Sequence, residues 1–241
     1  MENIQSVVSK YSPYISEIRK RIFFTLFVFV AAMLVGFIFN EKIIRFLIDL
    51  LSLKGVNIVF TSPFQFVNLA ISCAVTTGLI SAFPLLVYQL LSFLKPALRK
   101  GEFKMLIGFL PFSLLLFLSG FSFGFLIMKW QIEIFLNQAT SLGIGNILDI
   151  SRLISTVLIV SALMGVAFQF PVIMFLLMRI GVIKHKQLAK LRLWVYLGSF
   201  IFAVLLPPDS IIADFFLSLP LIILFEFTLI LNRIFDRRNP K

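Results

Sequence analysis

The chain has 241 residues, of which 60% are hydrophobic and 30 are phenylalanine, and its mean hydropathy is +1.04. This composition excludes an ordinary soluble globular protein and indicates a single membrane domain. The net charge of +11 comes from basic residues that flank apolar stretches, so it favours membrane lipids, and not nucleic acid, as the anionic partner.

Six apolar stretches follow one another, and we expect an all-α polytopic membrane protein. The first four contain no charged residue over at least 18 positions, close to the roughly 20 residues that a helix needs to cross about 30 Å of hydrocarbon. The predicted spans, within one domain of residues 1–241, are 22–39, 66–94, 105–128, 153–178, 194–206 and 211–231.

Basic residues fall mainly on alternate connections. The segments before the first span and after the second, fourth and sixth spans hold 17 of the 22 Lys and Arg residues. Cytoplasmic loops of membrane proteins carry this excess. Both termini are therefore expected on the cytoplasmic or stromal side.

The spans differ in length and carry prolines. Span 66–94 could extend about 43 Å and would tilt or project, whereas span 194–206 reaches about 20 Å and needs a thinned bilayer or covering neighbours. A proline inside a helix frees a backbone carbonyl one turn earlier, which allows a curved bundle, although ordinary kinks without function are an equal alternative. These prolines are Pro84, Pro111, Pro171 and Pro220.

Small residues recur at helical spacing in two spans. Gly120 and Gly124 form a small-xxx-small pair, and Ser161, Gly165 and Gln169 share one face of the fourth span. We expect packing within the monomer in preference to an oligomer contact.

Polar groups inside the apolar stretches are costly and therefore candidate sites, and we single out two of them, Gln169 and Glu226. The Gln169 amide would either satisfy the carbonyl freed by Pro171 or face a partner's polar side chain, and both interpretations stay open. Glu226 lies late in the last span, where snorkelling or pairing with Arg233 is expected.

Residues for catalysis are scarce. His185 stands alone in a basic loop and Cys73 is the single cysteine, so neither a Ser-His hydrolase nor a His/Cys metal site is indicated. Asp209 and Asp214 have no pattern that specifies a protease dyad. We expect no enzyme activity, no catalytic residue, no metal and no cofactor.

Two acids stand on the predicted basic face. Glu17 and Glu102 directly precede the first and third spans, and a cationic ligand approaching this face would need such carboxylates. Local pairing of Glu17 with Arg21, or of Glu102 with Lys100 or Lys104, is the competing explanation.

Taken in order, these residues resemble the TatC family, the multispanning subunit of the twin-arginine (Sec-independent) protein translocase. The resemblance covers the whole chain, and its start is similar to the E-L-R-x-R motif of the family. The matching motifs are Ser16-Glu17-Ile18-Arg19-Lys20-Arg21, Ser62-Pro63-Phe64, Pro84 with Tyr88-Gln89, Phe93, Pro96-Ala97-Leu98, Glu102, Phe168-Gln169-Phe170-Pro171, Pro207-Pro208-Asp209 and Phe225-Glu226.

The resemblance implies a glove-shaped helical bundle that acts as a receptor for the twin-arginine signal peptides of folded cargo. It further implies single-span partner subunits of the TatA and TatB type, a homo-oligomer within a receptor complex, and export driven by the proton-motive force. A small-solute permease is the alternative function, but it would need intramembrane charges along a path.

The resemblance also implies roles for individual residues. Glu17, Arg19 and Glu102 would bind the signal peptide, and Gln169 and Pro171 would contact a partner helix. The positions expected to be structural are Pro84, Pro207, Pro208, Asp209 and Glu226.

Three features depart from the family pattern. Gln169 stands where many bacterial members have Glu, and a Gln at this position resembles the plastid and cyanobacterial branch. The first outer loop, Asp49-Leu50-Leu51-Ser52, lacks the proline that is common in the family. Leu206 stands where Thr is frequent in the family. The Gln at position 169 and the heavy use of Phe, Ile and Lys together favour the thylakoid membrane of a plastid, with a bacterial inner membrane as the alternative.

Overall fold

The computed structural model describes residues 2–51, 57–60, 62–94, 108, 110–143, 147–180, 183, 185–207 and 210–238. Within them the chain is mainly helical, with two three-residue strands. The elements are α1 (Glu2–Ile38), α2 (Asn40–Leu50), β1 (Asn57–Val59), α3 (Pro63–Leu94), α4 (Leu110–Ser141), β2 (Ile147–Asp149), α5 (Ile150–Ala167), α6 (Phe170–Ile180), α7 (His185–Lys190), α8 (Arg192–Val204) and α9 (Ile211–Arg238).

Five helical segments in the described residues are long and apolar enough to cross a membrane. They are Arg19–Ile38, Pro63–Ser92, Leu110–Ser141, Ile150–Met178 and Ile211–Ile230. The remaining predicted span forms α8, whose 13 residues correspond to about 20 Å of helix. The expectation of a short helix at this place is therefore confirmed, while a sixth crossing is not established by length.

The fourth predicted span is broken in two. A turn at Phe168 and Gln169 separates α5 from α6, directly before Pro171. Proline has no backbone N–H and its ring clashes with the carbonyl four residues earlier, so the regular helix ends at Ala167 and restarts at Phe170.

Helices α1 and α3 run antiparallel and touch at glycines. A Cβ added at Gly36 would lie 2.7 Å from Thr77 Cβ, and one added at Gly78 would lie 3.0 Å from the carbonyl oxygen of Phe29. Elsewhere α1 is exposed. Of the residues in the apolar stretch within Arg19–Ile38, 6% are buried inside the protein, against 61% in the one within Ile150–Met178. The core therefore centres on α5, and α1 lies at the periphery.

Helices α4 and α5 make the other close contact. A Cβ at Gly120 would lie 2.6 Å from Phe168 Cγ, and a Cβ at Gly124 would lie 2.9 Å from Ser161 Cα. Gly165 faces the ring of Phe117 in the same way. The prediction that these small residues pack within the monomer is confirmed.

The two ends of the bundle differ in structure. We call the end with Arg19, Lys20 and Arg21 the basic end. The last turns of α3 lie there, because Thr25 of α1 bonds to Gln89 of α3. The last turns of α9 and the start of α8 lie there too, since Phe225 packs on Phe170, about 20 residues beyond the start of α5 at the opposite end, and Glu226 bonds to Tyr196. The opposite end carries α2 and a two-stranded parallel sheet in which Asn57 pairs with Ile147. The sequence predicted a loop between the first two spans, yet α2 is a helix with Ile44 and Leu47 buried.

Candidate functional site

The first predicted contact region is the start of the membrane segment of α1. Arg19 and Lys20 are exposed and Arg21 is half-buried. Glu17 belongs to α1 but its side chain lies outside the described residues, and Glu102 lies outside them altogether. The expected convergence of the two carboxylates therefore stays a prediction.

One polar contact joins α1 to α3 just inside the basic end. The Thr25 hydroxyl donates to Gln89 Oε1 at 2.6 Å, and the carbonyl oxygen of Arg21, at 3.0 Å, is the alternative acceptor for the same hydrogen. Gln89 belongs to the Tyr88-Gln89 motif, whereas Thr25 was not predicted as a site. A hydroxyl inside an otherwise apolar span was the available signal, because such groups bond across helices.

Gln169 lies at the break between α5 and α6 and is buried, with 7% of its surface exposed. Ser113 Oγ donates to Gln169 Oε1 at 2.5 Å, and Gln169 Nε2 donates to the backbone carbonyl of Ser113 at 3.1 Å. The amide thus satisfies a carbonyl of α4 and not the one freed by Pro171 in its own helix. Neither interpretation of Gln169 offered by the sequence included Ser113.

Pro171 is buried beside this pair in the chain, at the second position of α6. A contact of Gln169 or Pro171 with a partner helix stays a prediction. Because both residues are buried within the protein, a partner would first meet the exposed neighbours of the break, such as Val166 and Ile173.

Glu226 joins α8 to α9 at the basic end. Tyr196 Oη donates to Glu226 Oε1 at 2.5 Å, and Arg192 Nη2 donates to Glu226 Oε2 at 3.0 Å. The sequence-based expectation of pairing with Arg233 was wrong, since the two recorded partners come from α8. One carboxylate thereby ties the short helix to the last helix, in keeping with a structural role.

The predicted structural prolines fall in different settings. Pro84 lies inside α3, next to Phe83, whose ring stacks on Phe117 with centroids 3.9 Å apart. Pro207 is exposed in the turn after α8, whereas Pro208 and Asp209 lie outside the described residues. A role for the Pro-Pro-Asp turn stays a prediction.

At the end opposite the basic end, three polar residues tie α3 to α5. Gln65 Nε2 donates to Asp149 Oδ2 at 2.7 Å, and the Ser151 hydroxyl donates to the carbonyl oxygen of Gln65 at 2.8 Å. Asp149 also caps α5 by accepting from the Arg152 N–H at 3.1 Å. This contact was not predicted from the sequence, although an Asp before an apolar run is a typical N-cap pattern and was the available signal.

Within the described residues no group of His, Cys, Asp or Glu could hold a metal ion. The polar side chains that the structure brings together instead join helix to helix, at Ser113–Gln169, Thr25–Gln89 and Tyr196–Glu226. Such an arrangement is suited to holding a shaped surface in the membrane.

A family model described as "Sec-independent protein translocase protein (TatC)" matches residues 13–220. TatCy of Bacillus subtilis (strain 168) is 28% identical over 234 residues, which cover 95% of this chain and 90% of the relative. TatC of Listeria innocua serovar 6a is 30% identical over 232 residues, covering 95% and 93%. TatC of Aquifex aeolicus (strain VF5) is 27% identical over 230 residues, covering 94% and 95%.

Among solved structures, a crystal structure of the twin-arginine translocase receptor TatC in DDM matches with a TM-score of 0.80 and 27% identity. The match covers 90% of this chain and 98% of that chain. The relatives reported above are bacterial. The expected plastid or cyanobacterial branch is therefore not supported.

Proposed function

The chain belongs to the TatC family of Sec-independent protein translocase proteins, and we propose that it is the receptor subunit that binds the twin-arginine signal peptides of folded proteins. The observation that carries the proposal is the likeness, over 90% of the chain, to a crystal structure of a twin-arginine translocase receptor. The family is one of protein transport and is not known as an enzyme family. The permease alternative is not favoured.

The signal-peptide site is proposed at the basic end, with Glu17, Arg19 and Glu102. Helical spacing puts Glu17 one turn before Arg21 on the same side of α1. A twin-arginine peptide carries two guanidinium groups, and a carboxylate binds such a group with charge-assisted, bidentate hydrogen bonds. The exposed Arg19 would repel cations from its own surroundings, so that the peptide arginines are held at the carboxylates.

Single-span TatA- and TatB-type subunits are proposed to dock beside the helix break. A cavity of about 440 Å³ lies between the break, α8 and α9, with Val166, Phe170, Trp194 and Gly198 in its walls. A Cβ added at Gly198 would meet nothing within 4 Å, so another helix could approach closely there. Gln169 and Pro171 would shape this surface by holding the break in place.

We further propose six crossings in a glove-shaped bundle, with α8 crossing where the bilayer thins, both termini in the cytoplasm, and a homo-oligomer in the receptor complex. Export would use the proton-motive force. The bacterial relatives favour a bacterial inner membrane over the thylakoid membrane.

Photo-crosslinking tests the receptor proposal. The full-length protein in nanodiscs would be incubated with a twin-arginine signal peptide that carries a photoreactive group, and with the same peptide bearing two lysines. We expect capture of the arginine peptide, lost in the variant Glu17→Ala/Glu102→Ala. The matched control Glu41→Ala/Glu133→Ala removes two exposed acids at the opposite end and should leave capture intact. Equal capture of both peptides by all variants would contradict specific recognition.

Cysteine labelling tests the sixth crossing. In a Cys73→Ser background, single cysteines at Arg192 and Ser210, on either side of α8, would be treated in intact cells with a membrane-impermeant maleimide. Labelling of position 210 alone is expected if α8 crosses the membrane. Equal protection of both positions would show that α8 does not cross.

A further inference from the structure

A trough of about 420 Å³ lies between α1 and α3 at the basic end, and it has no role in the proposed signal-peptide or partner sites. We call it the α1–α3 trough; its apolar lining includes Ile22, Phe29, Leu79, Ala82 and Leu86. Three polar residues, Arg21, Thr25 and Gln89, complete the lining. The trough is therefore apolar along its length and polar at one end.

The length of the trough matches one leaflet of a bilayer. On α1 the lining extends from Arg21 to Phe29, about 12 Å of helix, and on α3 it extends from Leu79 to Leu90, about 17 Å. Half of the roughly 30 Å hydrocarbon thickness is about 15 Å. An acyl chain that enters at the basic end would therefore lie along the trough to about the middle of the membrane.

The polar end of the trough presents hydrogen-bond donors. Arg21 contributes a guanidinium group, and Gln89 contributes its amide nitrogen, because its oxygen already accepts from Thr25. Arg19 and Lys20 are exposed on the same helical turn. This charge is complementary to a phosphate group.

We propose that the α1–α3 trough is a binding site for one anionic phospholipid. The phosphate lies against Arg21 and Gln89, and one acyl chain fills the apolar part between Phe29 and Ala82. The inference does not depend on the receptor role, because the ligand is a lipid and the residues differ from Glu17 and Glu102.

The peripheral position of α1 gives such a lipid a physical effect. Because only 6% of the residues in the apolar stretch of α1 are buried, α1 is held mainly through its contacts with α3. A chain seated between the two helices adds apolar contact to both without any change in their closest approach at Gly36 and Gly78. We expect lipid binding to slow the separation of α1 from α3.

Native mass spectrometry of the full-length protein tests the proposal. Phosphatidylglycerol, and diacylglycerol with identical chains but no phosphate, would be added to the detergent-solubilised protein. We expect phosphatidylglycerol to bind about tenfold more tightly, since a hydrogen bond to a charged group contributes at least about that factor. Arg21→Gln should remove this preference, whereas Arg233→Gln, which removes an exposed charge elsewhere on α9, should retain it.

Two further variants separate the headgroup from the chain. Ala82→Phe fills the trough and should lower binding of both lipids at least fivefold, while Gln89→Leu should weaken phosphatidylglycerol alone. If Arg21→Gln does not fold, Gln89→Leu tests the headgroup contact in its place, because this variant keeps the positive charge of Arg21.

Three results would overturn the proposal. Equal losses in Arg21→Gln and Arg233→Gln would mean attraction to the general surface charge, and unchanged binding in Ala82→Phe would place the chain elsewhere. The third result has two parts, in which a twin-arginine peptide displaces phosphatidylglycerol and itself fails to bind to Ala82→Phe. Those two observations together would assign the trough to the peptide. Peptide capture that depends on Glu17 and Glu102 but not on Ala82 would leave the two sites distinct and support the lipid.

Discussion

Ser113 on α4 and Gln169 at the break between α5 and α6 form a reciprocal pair, in which each residue donates one hydrogen bond to the other. The pair is buried in the apolar core, with Ser113 1% and Gln169 7% exposed. Both the oxygen and the nitrogen of the amide are engaged within the chain. The break before Pro171 is therefore anchored to a neighbouring helix, which fixes the direction in which α6 continues.

Replacing Ser113 with Ala should destabilise the protein by about 1 kcal/mol, because Gln169 Oε1 loses its donor while Nε2 keeps the Ser113 carbonyl. Gln169→Leu should cost about 1–2 kcal/mol, since both bonds are lost. In a double-mutant cycle, the double variant should be less destabilised than the sum of the single variants. Unfolding in detergent would measure the three values.

Ser119→Ala serves as the control, because the Ser119 hydroxyl donates to the Leu116 carbonyl within α4 and, among the described residues, bonds to no other helix. A change below about 0.5 kcal/mol is expected there. Strict additivity of Ser113→Ala and Gln169→Leu would show that the two side chains do not act as a pair.

Much of the architecture was predictable because the bilayer imposes it. A spanning helix must be apolar over a minimum length, so four spans were found within a few residues, and the shortness of α8 followed from the charge-free run before Pro207. The small-residue stripes were likewise predictable, since close helix contact in lipid selects small side chains. These are local or periodic properties of the sequence.

The partners of the polar side chains were not predictable in the same way. Gln169 meets Ser113 and Glu226 meets Tyr196 across 56 and 30 residues of chain, and no periodicity links such positions. Helix α2 was missed because its 11 residues mix charged and apolar side chains and are too short to span. Which polar side chains pair between helices depends on how the helices pack, and a single sequence does not show that packing.

Tyr196→Phe should destabilise the contact between α8 and α9 by about 1 kcal/mol, because Glu226 Oε1 loses a donor in a half-buried site. Arg192→Gln should cost at most about 0.5 kcal/mol, since that side chain is 53% exposed and water screens the ion pair. Thermal unfolding of each variant in nanodiscs would rank them. A larger loss of stability for Arg233→Gln than for Tyr196→Phe would instead indicate that Arg233 is the partner of Glu226.

Gly120→Ala should destabilise by about 1–3 kcal/mol through overpacking. Its Cβ would lie 2.7 Å from the carbonyl oxygen of Met164, which is backbone and cannot move aside without shifting α5. Gly198→Ala is the matched control, because that Cβ meets nothing within 4 Å, and the higher helix propensity of Ala should raise stability there by up to about 1 kcal/mol. Midpoints of thermal unfolding would compare the two, and equal midpoints would contradict the tight α4–α5 contact.

Asp149→Ala should loosen the end of the bundle opposite the basic end, because the carboxylate both caps α5 and accepts from Gln65. Loss of the cap alone costs about 1 kcal/mol. Asp149→Asn keeps an oxygen acceptor for the Arg152 N–H, but it replaces the Oδ2 that accepts from Gln65 with an NH2 group, which cannot accept a hydrogen bond. Hydrogen exchange should therefore accelerate at β1, β2 and the first turn of α5 in Asp149→Ala. In Asp149→Asn the first turn of α5 should stay protected, and equal acceleration there in both variants would mean that the cap does not hold α5.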